Sequence, residues 1–257
     1  MPELPDLQVF SQNLQKKLAG KKLTKLVITE KSKLKVPVSK IKKSLENQKL
    51  KKVYREGKEI HFLFANNVVI GLHMMLRGRL QYFTNTNENK FTILEMHFSN
   101  GVGVALTDYQ RNAHLTLNPV IKDSPDALSK EVNVQFLKKI LGRKAAVKNV
   151  LLDQAVIRGI GNAYADEILW KAGISPFSIS EKIPSAQVKK LASAIKSELN
   201  AAMKKISKAS PGIIGGEVRD FLKIHNSKKK ESPRGAKIKV KPGTRKTYYT
   251  DEQKLYK

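Results

Sequence analysis

The chain has 257 residues, enough for one large domain or two smaller ones that each enclose a hydrophobic core. It contains no cysteine, which excludes disulfides, a thiol nucleophile and a thiolate metal site. The 49 lysines and arginines against 22 aspartates and glutamates give a net charge of +27, and such an excess favours a polyanionic partner such as nucleic acid.

The first element that the pattern predicts is an amphipathic helix over residues 6–18, where apolar residues recur every three or four positions. Pro5 lies near its first turn and Gly20 just beyond its end, as helix boundaries favour. From there to about residue 116 the pattern changes to short alternating apolar runs separated by turns rich in asparagine, glycine and lysine. This density of strands predicts two packed sheets.

A segment rich in proline, aspartate and serine at residues 118–131 is the best candidate for a domain boundary. Helical patterns follow it, and a very basic tail begins at residue 228. Within the tail, residues 237–241 and 245–250 could form a hairpin. The sequence predicts an α+β fold of two domains, with residues 1–118 as the sandwich, 119–131 as a linker, 132–227 as the helical domain and 228–257 as the terminal hairpin.

The longest apolar run, residues 68–76, is too short to cross a bilayer, and no secretory signal pattern is visible. We therefore expect a soluble, non-secreted monomer without a membrane partner. It would lie in the cytoplasm of a prokaryote, near the nucleoid, or in the nucleus of a eukaryote.

The most specific stretch is VIRGIGNAYADEILWKAGISP, residues 156–176. Gly159 and Gly161 form a turn before a new helix, with Asn162 as its expected N-cap. A turn of this kind lets backbone N–H groups approach a phosphate at a helix N-terminus. The alternative is a tight corner between helices, in which the glycines only relieve steric crowding.

Several motifs occur in order along the chain: MPELPD, REGKEIHFLF, SPDAL, LLDQAVIRGIGNAYADEIL and AGISP. Together they resemble the formamidopyrimidine-DNA glycosylase and endonuclease VIII family of base-excision repair enzymes, over nearly the whole chain. The resemblance implies an N-terminal helix with a β-sandwich, then a helical domain with a helix–two-turn–helix motif. A β-hairpin finger, which usually binds zinc, would close the chain.

The resemblance also assigns the start of the chain. Removal of Met1 would expose Pro2, whose secondary amine is the nucleophile of the family. An α-amino group titrates near pH 8, so a useful fraction is unprotonated at neutral pH. Glu3 would transfer protons to the base or the sugar. Asp6 stands where the family has a glutamate near the sugar, and the shorter side chain puts the rate of turnover in question.

Other matches are residues that contact phosphate in the family. Lys58 would contact phosphate and donate a proton during elimination, and Asn162 would bind phosphate beside Gly161. Arg143 lies near a further basic contact. Arg245, in the hairpin, would bind the phosphate that flanks the lesion and assist the second elimination.

The residues that fill the gap left by an extruded base differ from the family pattern. Leu76 takes the position of the apolar wedge, with Met75 as an alternative one residue away. Where the family often reads DPRRFG, this chain has DYQRNA at residues 108–113. Gln110 and Asn112 therefore replace an arginine and an aromatic residue, and Arg111 could compensate in part.

The finger lacks its metal-binding cysteines. Thr250 and Gln253 stand at the second cysteine pair, and the first pair falls around SPRGAK, also without cysteine. We expect a finger without zinc, and a protein with no metal or other cofactor, in which Tyr248 and Tyr249 anchor the hairpin.

The sequence thus predicts a DNA glycosylase that is also a lyase at abasic sites and acts on oxidised bases in damaged double-stranded DNA. It would form a Schiff base on Pro2 and then cleave the strand by β/δ-elimination. We lean towards oxidised pyrimidines and ring-opened purines. Two alternatives remain: an abasic-site lyase with little glycosylase activity, and a catalytically silent DNA-binding protein.

Overall fold

The structure is a computed structural model that describes residues 1–257. Contacts divide the chain into two units, and the first comprises residues 1–121 and 206–217. Residues 1–121 contain two helices, eight strands and a short 3-10 turn at Ser99–Gly101. The elements are α1 (Leu4–Leu18), β1 (Leu23–Ile28), α2 (Val38–Leu45), β2 (Leu50–Glu56), β3 (Glu59–Phe64), β4 (Val69–His73), β5 (Arg79–Thr84), β6 (Thr92–Phe98), β7 (Val102–Thr107) and β8 (His114–Leu117).

The eight strands form a β-sandwich of two antiparallel four-stranded sheets. One sheet has the strand order β1-β6-β7-β5 and the other has β2-β3-β4-β8. Leu94 and Leu106 of the first sheet share one buried core with Phe62 and Ile70 of the second. The apolar face of α1 is buried in the same core, because its leucines and Phe10 recur with the helical period.

The sequence analysis missed α2 and placed the end of one strand too late. In α2, Ile41 and Leu45 are buried at a spacing of four residues, but three surrounding lysines hide this short apolar face in the sequence. The apolar run at residues 68–76 lies in the region of predicted strands, but its strand, β4, ends at His73, and a turn then exposes Leu76. The turn matters for the site described below.

The second unit comprises residues 122–205 and 218–257. Its helices are α3 (Val134–Leu141), α4 (Val147–Leu152), α5 (Asn162–Ala172) and α6 (Ser185–Ala209), of which the last four residues belong to the first unit. A 3-10 turn lies at Ser180–Lys182, and β9 (Lys239–Lys241) pairs with β10 (Thr247–Tyr249) as the terminal hairpin.

The predicted helical region 132–227 is interrupted, because residues 206–217 cluster with the sandwich. Ile214 is buried in the sandwich core, and Asn13 Nδ2 donates a hydrogen bond to the Ile213 carbonyl over 2.7 Å. This return of the chain could not be seen from the local pattern. The α+β class itself is confirmed, and none of the helices has the length and apolar character needed to cross a membrane.

Candidate functional site

The start of the chain is buried at the N-terminus of α1. Pro2 and Glu3 are buried, and Asp6 is fully buried. The Glu3 N–H donates to Asp6 Oδ2 over 2.8 Å, and the Glu3 side chain accepts from the backbone N–H of Asp6. This reciprocal capping box satisfies two N–H groups that a helix start leaves without partners. Asp6 thus fixes the backbone on which Glu3 stands.

Pro2 lines a cavity of about 910 Å³ in the first unit. Of the predicted site residues, the cavity brings together only Pro2 and Leu76; Glu3, Asp6, Lys58, Met75 and Arg111 are not among its lining residues. The charged groups in the lining are three cations and two carboxylates. They are Arg77, Arg79, Lys90, Asp108 and Glu217.

Glu217 is a site residue that the sequence analysis missed. Its Oε1 atom forms an ion pair with the ammonium of Met1. The chain approaches β5 closely just before it, because a Cβ at Gly215 would lie 2.2 Å from the Leu80 carbonyl oxygen. Glycine alone allows that approach, so the GG-E sequence was the available signal.

Asp108 holds the loop at residues 108–113 in shape. Its buried carboxylate accepts hydrogen bonds from the backbone N–H groups of Gln110, Asn112 and Ala113, at 2.8–2.9 Å. Arg111 adopts a φ of 53° and reaches Glu30 over 3.8 Å. The loop is thus ordered, with Gln110 and Asn112 at the two positions where the resemblance implies an arginine and an aromatic residue.

The turn after β4 contains Leu76 and Met75, the two candidates for the wedge, and exposes Leu76 more than Met75. Leu76 is 64% exposed, whereas Met75 is half-buried and has a φ of 49°. Gly78 N–H donates to the Met74 carbonyl over 2.8 Å and closes the turn. A Cβ at Gly78 would lie 2.3 Å from that carbonyl oxygen, so this turn requires glycine.

Lys58 lies in the two-residue turn between β2 and β3, next to Gly57. Arg55 braces this turn: its Nη1 donates to the Gly57 carbonyl and its Nε to Gln8 Oε1 of α1, both over 3.0 Å. Since Gln8 belongs to α1, these bonds connect the Lys58 turn to the helix that begins next to Pro2.

In the second unit, Asn162 is the first residue of α5, and Gly161 is its N-cap. The expectation that Asn162 caps the helix is therefore wrong. Its side chain instead reaches the hairpin, where Nδ2 donates to the Lys246 carbonyl over 2.9 Å. Asn162 thus lies beside the loop that carries the exposed Arg245, whereas Arg143 is exposed between α3 and α4.

A buried ion pair lies between α4, α5 and the hairpin. Asp166 of α5 is fully buried, and Lys148 Nζ approaches its Oδ1 over 2.7 Å. Asp166 Oδ2 accepts from His225 Nδ1 over 2.7 Å and from the Tyr248 N–H over 2.9 Å. Lys148 also donates to Thr247 Oγ1 over 2.9 Å. These contacts join both helices to β10.

Thr250 and Gln253, which stand where the resemblance implies the second cysteine pair of a zinc finger, belong to a hydrogen-bonded cluster. Gln253 Oε1 accepts from the Thr250 N–H over 2.9 Å, and Gln253 Nε2 donates to the Ile174 carbonyl over 2.8 Å. Glu252 Oε2 accepts from Trp170 Nε1 over 3.0 Å and from Thr250 Oγ1 over 2.9 Å. Hydroxyl and amide groups with one carboxylate do not fit zinc, which takes thiolate or imidazole ligands at such sites.

Apolar packing around this cluster agrees with the predicted role of the tyrosines. Tyr248 is buried with Trp170, Ile224 and Ile238, and Tyr249 meets the Phe177 ring edge-on at 5.0 Å. Trp170 is itself buried.

The comparisons with known proteins agree with this geometry. The family model of the formamidopyrimidine-DNA glycosylase N-terminal domain matches residues 1–115, and that of the formamidopyrimidine-DNA glycosylase H2TH domain matches residues 124–210. The formamidopyrimidine-DNA glycosylase of Pelotomaculum thermopropionicum is 31% identical over 97% of both chains. The chain belongs to the formamidopyrimidine-DNA glycosylase family.

Further relatives cover as much of the chain. The formamidopyrimidine-DNA glycosylase of Mycoplasma mobile is 27% identical over 97% of both chains. The Lactococcus lactis enzyme, solved non-covalently bound to DNA that contains an abasic site, superposes with a TM-score of 0.87 at 21% identity, over 98% of this chain and 100% of that one. At this identity the likeness shows the fold, and it agrees with the sandwich, helices and hairpin described above.

Proposed function

We propose that this protein is a DNA glycosylase of base-excision repair that excises oxidised bases and also cleaves the strand at the resulting abasic site. The observation that carries the proposal is the position of Pro2, at the start of α1 and on the wall of a cavity of about 910 Å³. Names of relatives support the activity, because those aligned over nearly the whole chain are called formamidopyrimidine-DNA glycosylases. A neighbouring structure of the same fold contains DNA with an abasic site.

The proposed chemistry begins when removal of Met1 makes Pro2 the N-terminus. The Pro2 nitrogen, in its neutral form, attacks C1′ of the damaged nucleotide, the glycosidic bond breaks and the base leaves with a proton. Opening of the sugar gives an iminium, which draws electrons from C2′ after loss of its proton. The C3′–O bond then breaks and releases a phosphate; a second elimination breaks the C5′–O bond.

Glu3 is the proposed proton donor and acceptor beside this amine. Its backbone is fixed by Asp6, so Asp6 acts as a positioning residue and Glu3 as the catalytic one. A carboxylate held within a rigid capping box keeps one orientation towards the sugar, and the rate of proton transfer depends on that orientation.

The remaining predicted residues are proposed to hold the DNA backbone. Lys58, Arg143, Asn162 and Arg245 would contact phosphates, with the N-terminus of α5 behind Gly161 contributing backbone N–H groups. The high positive charge of the chain supports this interpretation, because phosphate contacts that release counterions provide most of the affinity for DNA. Such a protein would act where the genomic DNA is, in the cytoplasm of a prokaryote or in the nucleus of a eukaryote.

Borohydride trapping tests the proposal. We expect the purified protein, shown by intact mass to lack Met1, to form a covalent adduct with duplexes that carry an abasic site or 5-hydroxyuracil. The adduct with a duplex carrying 8-oxoguanine should be weaker. The Pro2→Gly variant should bind these duplexes with similar affinity and form less adduct on each of them, because its primary amine gives a neutral imine instead of the iminium that the Pro2 secondary amine gives.

The alternatives give different results in the same experiment. An adduct on the abasic duplex alone would indicate a lyase with little glycosylase activity. DNA binding without an adduct on any duplex would contradict the enzyme proposal and leave a DNA-binding protein. An adduct that forms as fast in Pro2→Gly as in the wild type would assign the nucleophile to another amine.

A further inference from the structure

Three of the eight large apolar side chains that are exposed on this protein line the cavity that contains Pro2. They are Leu76, Phe91 and Tyr109. Leu76 has a proposed role as the wedge, but Phe91, in the loop between β5 and β6, has none so far. Its ring is 62% exposed. A single exposed aromatic ring is common on protein surfaces, but three exposed apolar side chains around one cavity point to a ligand site.

Phe91 also has an uncommon backbone conformation. Its φ of 58° lies in the left-handed region, which bulky residues seldom adopt. Five of the eight non-glycine residues with positive φ in this protein are asparagines, the type that tolerates this region best. A strained residue persists only where surrounding structure fixes it, and such residues concentrate at ligand sites.

The residue that fixes Phe91 is Asp108. The Asp108 N–H donates to the Phe91 carbonyl over 2.9 Å, and the Asp108 side chain holds the loop at residues 108–113. Phe91 is thus attached to the loop in which Asn112 stands at an aromatic position of the family. The aromatic group missing from this loop has a counterpart on the strand connection that is bonded to it.

The surroundings of the ring indicate what it contacts. Arg77, Arg79 and Lys90 line the same cavity, and Lys90 immediately precedes Phe91. An exposed ring among cations is the combination that binds nucleic acid without sequence preference: the cations attract phosphates and a base stacks on the ring. An apolar protein partner would have to desolvate these charges.

We propose that Phe91 stacks on a DNA base at the site where the damaged nucleotide leaves the helix, and so supplies the aromatic surface that Asn112 lacks. This inference rests on the proposed function, since it requires DNA at this cavity. It adds a residue that stabilises the opened duplex by contact with a base, and it assigns no chemical step to that residue.

The test uses Phe91→Asn, which removes the ring and introduces a residue suited to the backbone. The affinity is measured for a duplex that carries a stable abasic-site analogue and, in the opposite strand, 2-aminopurine. The fluorescence of 2-aminopurine falls when this base stacks. We expect affinity to fall about tenfold, within the range found for loss of one base–aromatic stack, and the bound-state fluorescence to change. Phe91→Trp should keep both near the wild-type values.

Two controls separate stacking from a structural role. Phe91→Asn should keep or raise the melting temperature, because the lost ring is exposed and the new residue relieves the backbone. Val120→Ala removes another exposed apolar side chain, 91% exposed and outside the cavity, and should not change binding. The dependence of affinity on salt should be the same in Phe91→Asn as in the wild type, because no charge is removed.

The outcomes distinguish this inference from the proposed function. If the wild type binds the duplex and forms its adduct on Pro2, but Phe91→Asn binds equally well with unchanged fluorescence, the inference is wrong and the proposed function stands. A Phe91→Asn variant with a lowered melting temperature and no Trp rescue would make Phe91 a structural residue. If the wild type neither binds nor forms an adduct, both are wrong.

Discussion

The candidate functional residues at the start of the chain are held by contacts between sequence neighbours, whereas those of the terminal hairpin are held by contacts between residues far apart in the sequence. At the start, Glu3 and Asp6, three residues apart, each accept a hydrogen bond from the backbone N–H of the other. At the hairpin, Asp166 accepts hydrogen bonds from His225 and Tyr248, which are 59 and 82 residues away along the chain. The first arrangement forms as soon as one helical turn forms, whereas the second requires α5, the segment before the finger and β10 to be in place together.

The two arrangements should therefore respond differently to substitution. Losing the local pair would loosen one helix end, because only neighbouring groups depend on it. Losing Asp166 would remove the carboxylate that compensates the charge of the buried Lys148 and would release β10 at the same time. Buried charges are tolerated only with a partner, so the hairpin depends on one carboxylate more than the N-terminal helix depends on any.

Asp166→Asn should produce the largest effect, because it removes the charge that compensates Lys148 while keeping the size of the side chain. We expect the free energy of unfolding of the second unit to fall by about 3–5 kcal/mol, the usual result of breaking a buried pair. Urea unfolding followed by Trp170 fluorescence measures it, since Trp170 packs against Tyr248 of the hairpin.

Asp251→Asn is the matched control in the same finger. Asp251 pairs with Lys239 over 2.7 Å, but it is 76% exposed, so its loss should change the free energy of unfolding by less than about 1 kcal/mol. Equal effects of the two substitutions would contradict the argument. The double variant Asp166→Asn with Lys148→Met should recover part of the loss, because it removes the buried charge of Lys148 and keeps an acceptor oxygen for the Tyr248 N–H.

Asp6→Ala tests the other side of the comparison. It leaves the Glu3 N–H, at a buried position, without an acceptor, and we expect the free energy of unfolding to fall by about 1–3 kcal/mol. The rate of borohydride trapping on an abasic duplex should fall as well, because the Glu3 backbone loses its anchor. Asp6→Asn keeps an acceptor oxygen and should retain most of the stability, and a loss as large as in Asp6→Ala would refute the capping role.

The same contrast explains which features the sequence could predict. The helix at the start, the run of strands and the hairpin each follow from a local period, and all three are present. The interpretation of Asn162 as an N-cap went wrong because the neighbouring Gly161 takes that position and the hairpin supplies a carbonyl for the side chain. That carbonyl comes from Lys246, 84 residues further along, and no local pattern points to it.

Features that depend on segments far apart in the sequence could not be predicted, for the same reason. Glu217 reaches the start of the chain because Gly215 lets its segment approach β5. Phe91 reads as the first apolar residue of an ordinary strand, and only its backbone angle and exposure set it apart. Asp166 reads as one more charged residue of a helix, although it is fully buried. Whether a charged side chain is buried cannot be inferred from the sequence without knowing which residues it contacts.

Glu252→Gln should have a smaller effect than Asp166→Asn or Asp6→Ala, and its effect depends on pH. Partial burial disfavours the charged carboxylate, but hydrogen bonds from Trp170, Ser232 and Thr250 outweigh it and hold the pKa of Glu252 below its ordinary value of 4.5. Glutamine retains an acceptor oxygen, so at pH 7 the free energy of unfolding should fall by only about 1 kcal/mol. Urea unfolding at a series of pH values measures it.

A lowered pKa means that the folded protein binds fewer protons at Glu252 than the unfolded chain near pH 4.5. The contribution of Glu252 to stability is therefore complete above pH 4.5 and is lost as the pH falls through the lowered folded pKa. The difference between wild type and Glu252→Gln should stay constant from pH 6 to pH 8 and shrink below pH 4.5. A difference that stayed constant into this acidic range would mean that the negative charge of Glu252 does not contribute to stability.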